Sequence, residues 1–232
     1  MKLNGKSLIV FGDSIINGSG NNNFGVGEYL NKKTGVALKK YCVGGARVGW
    51  QEGKDWVVEQ IKRAVANGAT ADIVVFNGFT NDCNMTDGKT CDVPLGEIEE
   101  GKDYDLYNIP QDKKSNFTYC FQCVLTALKK YFGNALIVFV RPHKMGRRDL
   151  NAQQVYGRRA AELCKTYGFA VADVYEDTKL DTFNPVHRDK YTADTYGWGK
   201  GDCTHPNAKG YEKFYIPLII KVIKKHLKDK NL

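Results

Sequence analysis

The chain has 232 residues, 42% of them hydrophobic and 26% charged, and 34 basic residues against 26 acidic ones give a formal net charge of +8. That length suits one α/β domain with a sizeable buried core, and the composition excludes disordered, collagenous and coiled-coil classes. The lysines are scattered, and no nucleic-acid-binding motif accompanies the densest basic stretch, Lys221 to Lys230, on the outer face of an expected terminal helix. The charge therefore reads as solvated surface, with no nucleic-acid partner.

In chain order, Ser7 to Phe11 is a short apolar run ending at Gly12, the pattern of a buried parallel strand. A loop rich in glycine and asparagine follows, then a helix around Gly27 to Lys33. Val36 to Val43 predicts a second strand. Trp56, Val57, Ile61 and Val65 have helical spacing within Lys54 to Ala66. Asp72 to Phe76 is the third strand. Asn116 to Phe132 is helical, with Asn116 or Ser115 as cap. Ala135 to Val140 is a fourth strand, Leu150 to Tyr167 a helix, and Phe169 to Val174 a fifth strand. Pro206 to Leu227 predicts a last helix, kinked at Pro217. Two stretches, about 83–115 and 175–201, read as irregular loops within a single 1–232 domain. The first is acidic, with Asp87, Asp92, Glu97, Glu99, Glu100, Asp103 and Asp105.

Strands alternating with helices predict a five-stranded parallel sheet in a three-layer α/β/α sandwich. In such sheets ligands gather beyond the carboxyl ends of the strands. Four polar blocks fall there: Gly12-Asp13-Ser14, Val43-Gly44-Gly45-Ala46, Asn77-Gly78-Phe79-Thr80-Asn81-Asp82, and Asp202-Cys203-Thr204-His205-Pro206 ahead of the last helix. A serine hydroxyl needs an adjacent base to attack an ester at neutral pH. An imidazole supplies one, and a carboxylate holds the imidazole in the right tautomer. Ser14, His205 and Asp202 can fill those three roles. The Ser14 and Gly45 N–H groups and the Asn81 amide can serve as oxyanion donors.

These blocks, in this order, resemble the SGNH hydrolase superfamily (GDSL-type esterases and lipases), and the resemblance covers nearly the whole chain. It implies a flavodoxin-like sandwich and an acyl-serine mechanism with catalytic Ser14, His205 and Asp202, no metal and no cofactor. Pro94-Leu95-Gly96 after the third block is similar to a subset often found alone or attached to phage and cell-surface proteins. The expected activity is hydrolysis of short-chain acyl esters, foremost O-acetyl groups on a carbohydrate. A glycan-binding or virion-associated module with little catalysis, and a lysophospholipase or thioesterase of the same fold, are the alternatives. Two departures stand out. Phe79 occupies a position where glycine is usual, so it either narrows the acyl pocket or packs beneath the oxyanion hole. Lys40, Tyr41 and Cys42 replace a supporting asparagine before the second block.

Asp13, Phe79, Trp50, His143 and Trp198 are candidate substrate contacts, with Tyr196 joining Trp50 and Trp198 in a possible sugar-stacking wall. Seven cysteines without regular spacing, including Cys120-Phe-Gln-Cys123 in a helical apolar pattern, suggest buried reduced thiols. No apolar run approaches the roughly 20 residues that span a bilayer, and the N-terminal apolar run is too short for a secretory signal. The expected setting is cytoplasmic, or at a phage or cell surface as part of an assembly, with a small ester or acetylated glycan as partner and no membrane.

Overall fold

The first strand owes its place to an unbroken apolar run: β1 (Ser7–Phe11) is buried from Leu8 onward because helices cover both faces of the sheet. The same holds for β3 (Ile73–Phe76) and β4 (Leu136–Arg141), every residue of which is buried. β2 (Ala37–Lys40) and β5 (Ala170–Asp173) alternate in burial, as the two outer strands should. The computed structural model describes residues 2–99 and 101–229. Glu100 and Lys230, read above as parts of the acidic segment and the basic helix, lie outside them.

All pairings are parallel, in the order β2-β1-β3-β4-β5. Successive strands are added to one side of β1 for β2 and to the other for β3 onward, which makes the carboxyl ends of β1 and β3 the switch point where such sheets bind ligands. Register sharpens this. Phe11 lies opposite Phe76, so Gly12 and Asn77 leave the sheet side by side.

The helices are α1 (Ser14–Asn17), α2 (Val26–Thr34), α3 (Val57–Ala66), α4 (Phe117–Phe132), α5 (Leu150–Thr166), α6 (Val174–Asp177), α7 (Pro185–Tyr191), α8 (Ala208–Gly210) and α9 (Ile216–Asp229). α3, α4 and α5 pack together on one face, and α1, α2 and α9 on the other. The result is the expected three-layer α/β/α sandwich. Among the described residues no helix is long and apolar enough to cross a membrane.

Several boundaries differ from expectation for physical reasons. The loop after β1 begins with a helical turn: Asp13 accepts a hydrogen bond from the Ile15 N–H and starts α1 at Ser14. The second strand stops at Lys40, although the Tyr41 and Val43 N–H groups still donate to the Val10 and Gly12 carbonyls. α3 starts only at Val57, because Trp56 is held extended by bridging to Arg47. The last helix begins after Asn207, which caps Gly210, and widens into a π-helical turn over Tyr211–Tyr215 before α9. Pro217, in the first turn of α9, has no N–H to continue the ladder, and the wider turn takes up that break. The 175–201 stretch is not irregular throughout, since it contains most of α6 and all of α7. Pro185 at the start of α7 and the Asn184 cap are the signals for the latter.

Cys120 and Cys123 lie buried in α4, where burial pushes the Cys123 thiol up to about 12 and the Cys120 thiol higher still.

Candidate active site

Ser14 is fixed by a clamp between two strand ends. Gly12 has φ +130, and a Cβ there would lie 1.9 Å from Asn77 Oδ1, so only glycine fits. The buried Gln60 amide binds Gly12 on both sides, accepting from its N–H at 2.8 Å and donating to its carbonyl at 2.9 Å. Asn77 accepts from the Asp13 N–H at 3.0 Å and donates to Asp13 Oδ1 at 2.9 Å. Ile15 and Ile16 anchor the following turn in the core, and the Tyr211 hydroxyl donates to the Ile15 carbonyl at 2.6 Å.

His205 reaches Ser14 from the other end of the chain. Asp202 is fully buried and organises its own turn, with Oδ1 accepting from the Thr204 and His205 N–H groups, each at 2.8 Å. Its Oδ2 lies 2.6 Å from His205 Nδ1 and also accepts from the Thr195 hydroxyl. Burial alone would raise the Asp202 carboxyl; the hydrogen bonds and charge of His205, with Thr195 and the backbone, hold it at about 2. An ionised carboxylate only accepts, so Nδ1 carries the imidazole proton and Nε2 is left to accept from Ser14 Oγ, 2.9 Å away. The three side chains thus form one continuous chain of hydrogen bonds, geometry that can activate a hydroxyl. Cys203, at φ +68, turns the backbone between Asp202 and Thr204.

The expected oxyanion donors are close by. Gly45 has φ +80 with open space where a Cβ would stand, and with Ser14 and Asn81 it lines the same cavity. The Asn81 amide donates one N–H to the Ala46 carbonyl at 2.9 Å, which leaves the other for a ligand. Arg148 fixes that amide, its Nη2 lying 3.4 Å from Asn81 Oδ1 while its Nε donates to the Thr80 carbonyl at 2.8 Å. Asp82, fully buried, accepts from the Val48 and Gly49 N–H groups and ties the second block to the third; burial pushes its carboxyl up to about 7. Where the supporting asparagine is missing, Lys40 takes over, donating to the Asn17 and Asn23 carbonyls at 2.7 and 2.6 Å and so tethering the loop behind Ser14.

The cavity has a volume of about 400 Å³. The five candidate substrate contacts do not line it. Asp13 is completely buried as the cap of α1. Phe79 is 1% exposed and reaches toward α5, with its ring tip 3.1 Å from where a Gly157 Cβ would stand; it packs inward rather than narrowing the pocket, and its φ of +132 lies in the region that favours glycine. His143 is also fully buried, 2.7 Å from the Tyr215 hydroxyl through Nδ1, because the π-helical turn carries Tyr215 over it. Trp50 sits apart, its N–H donating to the Lys114 carbonyl. Trp198 is half exposed outside the cavity, but it stacks on Tyr196, which does line it, with ring centroids 4.7 Å apart.

Sequence reasoning passed over Arg47, Arg147 and Arg148, all in the cavity wall. Arg147 lies over Tyr196 and Trp198, 4.4 and 5.2 Å from their ring centroids. Thr195 was missed as well; only its nearness to Asp202 in the chain hinted at a role. From the acidic 83–115 segment, Asn84 alone among the described residues reaches the cavity. Three carboxylates of that segment are engaged, Asp92 with Arg47 at 2.7 Å, Glu99 with Lys113, and Asp87 with the Lys89 and Thr90 N–H groups.

Residues 10–213 match the GDSL-like Lipase/Acylhydrolase family. The chain belongs to that family. Membership supports an ester-hydrolysing enzyme in general, and the match spans all four blocks. Solved structures agree in fold. A Lactobacillus plantarum protein is similar at TM-score 0.71 and 19% identity, with 98% of each chain covered. A lipase/acylhydrolase from Enterococcus faecalis is similar at TM-score 0.57 and 15% identity, covering 95% of this chain and 96% of the other. Phospholipase A1 from Streptomyces albidoflavus is similar at TM-score 0.56 and 14% identity, covering 94% and 99%. No curated protein matches the chain.

Proposed function

We propose that this member of the family is a serine esterase that removes short acyl groups, acetyl foremost, from carbohydrate hydroxyls through an acyl-Ser14 intermediate. The observation that carries the reading is the hydrogen-bonded chain from Ser14 Oγ through His205 to the buried Asp202, opening on the cavity. His205 Nε2 takes the Ser14 proton as Oγ attacks the acyl carbonyl, and Asp202 stabilises the imidazolium that forms. The Ser14 and Gly45 N–H groups and the Asn81 amide receive the negative charge on the carbonyl oxygen. His205 then protonates the departing alkoxide. Water, activated by the same imidazole, releases the acid from Ser14.

The cavity wall supports a short, polar ester. It contains no Leu, Ile, Val, Met or Phe, so a long alkyl chain finds no apolar channel there. That disfavours the lysophospholipase alternative. The Tyr196–Trp198 stack at the rim offers a flat face to a sugar ring. The intact Ser14–His205–Asp202 geometry weighs against a binding module without turnover.

A series of p-nitrophenyl esters from acetate to octanoate tests this reading, together with acetate release from acetylated xylan. We expect kcat/KM to be highest for acetate and to fall steadily beyond butyrate. Preference for octanoate, with no acetate released from the polysaccharide, would contradict it.

A further inference from the structure

Every lysine, arginine or carboxylate side chain that lines the cavity is an arginine. Of the twelve lining residues three are Arg47, Arg147 and Arg148, and none is acidic. Each guanidinium has donors left over. Arg47 is 94% buried; its Nη2 binds Asp92, but Nε and Nη1 have no partner. Leaving two donors of a buried cation unmade is costly, and an acceptor arriving with a ligand removes that cost. Arg148 donates to the Thr80 and Arg147 carbonyls and the Asn81 side chain, all neutral, and forms no ion pair among the described residues. Arg147 also forms none, and its guanidinium carbon lies 4.4 and 5.2 Å from the Tyr196 and Trp198 ring centroids, contacts that leave its N–H fork without an anionic partner. The Thr204 hydroxyl, in the same wall, is buried without a partner.

None of the nearby carboxylates lines the cavity, and each is engaged, Asp149 with the Ala152 N–H and Asp194 with the Trp198 and Gly199 N–H groups. Asp13 holds Ile15 and Asn77, Asp82 holds Val48 and Gly49, Asp92 holds Arg47 and Asn84, and Asp202 holds His205. A ligand touching the wall therefore meets guanidinium N–H groups and no competing anion. Planar forks of this kind match carboxylate and phosphate oxygens.

We infer that the ester cleaved at Ser14 carries an anionic oxygen group, a carboxylate or a phosphate, held by Arg47, Arg147 and Arg148 in the cavity that contains the serine. The inference rests on the esterase reading above. It narrows the carbohydrate to an acidic one, such as an acylated uronate or a sugar phosphate. Because Arg148 also positions Asn81, the anion sits next to the oxyanion donors, and its recognition sets which esters reach Ser14.

Three acetyl esters of para-substituted phenols test it: 4-acetoxybenzoate, 4-acetoxyphenyl phosphate and the neutral 4-acetoxybenzamide. Within each protein the ratio of kcat/KM for an anionic ester to that for the amide cancels any general loss of catalysis. We expect a ratio of about ten or more at low ionic strength, shrinking as salt is added. It should fall at least threefold in Arg147→Gln or Arg47→Met. Arg147→Gln changes an exposed residue and keeps the test open if Arg47→Met, which strands Asp92, does not fold. A preference confined to the benzoate or to the phosphate assigns the anion. Wild-type ratios at or below one for both anions, or ratios that neither variant changes, overturn the inference while the esterase reading stands. Failure of folded protein to hydrolyse any of the three overturns the esterase reading and this inference with it.

Discussion

The two sides of the cavity around Ser14 are built differently. The reacting side comes from two short stretches, residues 12–14 and 202–205, in which Asp13 caps the turn that carries Ser14 and Asp202 binds the N–H of the histidine it orients, with Gln60 and Asn77 clamping the first stretch. The recognition side comes from four separated places, Arg47, Asn84, the Arg147–Arg148 pair and Tyr196, joined only by tertiary folding. A hydrogen-bonded relay tolerates little variation in geometry, so it is written as tight local spacing. A wall that reads the substrate can be assembled from any loops that meet there.

The sharpest way to break that contrast is to remove the reacting side. Ser14→Ala and His205→Ala should each lower kcat by at least about 10³-fold, and the double variant should cost little more than either single one. Steady-state turnover of p-nitrophenyl acetate measures this, and additive losses would mean that the two side chains do not act as a unit. Asn81→Ala stands between the two sides. Loss of an oxyanion donor should reduce kcat about 10²-fold with a much smaller change in KM. Arg148 sharpens the comparison further, since it belongs to the recognition wall yet acts on the reacting side by holding Asn81. Arg148→Met should lower kcat for the neutral ester about tenfold through a misplaced amide, and Arg148→Lys should recover part of that loss. An effect on KM alone would place Arg148 purely in recognition.

The smallest expected effect lies behind the site. Burial pulls the His143 imidazole down from 6.5 to about 3, so it is neutral in the fold and becomes protonated on unfolding below its ordinary value. Its contribution to stability is complete above pH 6.5 and is lost as pH falls toward 3, with a slope of at most about 1.4 kcal/mol per pH unit. Asp202 and Asp92, held at about 2, add their losses only below pH 3.8. Asp82, raised to about 7, acts in the opposite sense, its contribution present below pH 3.8 and lost as pH rises toward 7, so the two offset each other between about pH 4 and 6.5. Urea unfolding over that range should give a nearly flat line in the wild type and, in His143→Gln, a stability that falls as pH rises.

The sheet was legible because β1, β3 and β4 are apolar runs ended by Gly12, Asn77 and Arg141-Pro142, and burial on both faces demands that pattern. The four blocks were legible because each follows a strand or precedes a helix. Phe79 was flagged by its departure from glycine, but the direction of its ring depends on Gly157, on a helix 78 residues further along, and no local pattern encodes that choice. His143 looked available because it follows β4, yet Tyr215 from the π-helical turn covers it. The arginines went unnoticed for a related reason. In a lysine-rich chain, three arginines in two distant loops read as surface until the fold places them around one cavity.

An activated Ser14 is the property on which the esterase chemistry depends most directly. Intact-mass spectrometry after exposure to a serine-directed fluorophosphonate, run on wild type and Ser14→Ala, measures that property without assuming any substrate. The account predicts a single adduct on the wild type, slowed by competing p-nitrophenyl acetate, and none on Ser14→Ala. Folded wild type that takes up no adduct, or a Ser14→Ala variant labelled as fast as the wild type, would contradict it.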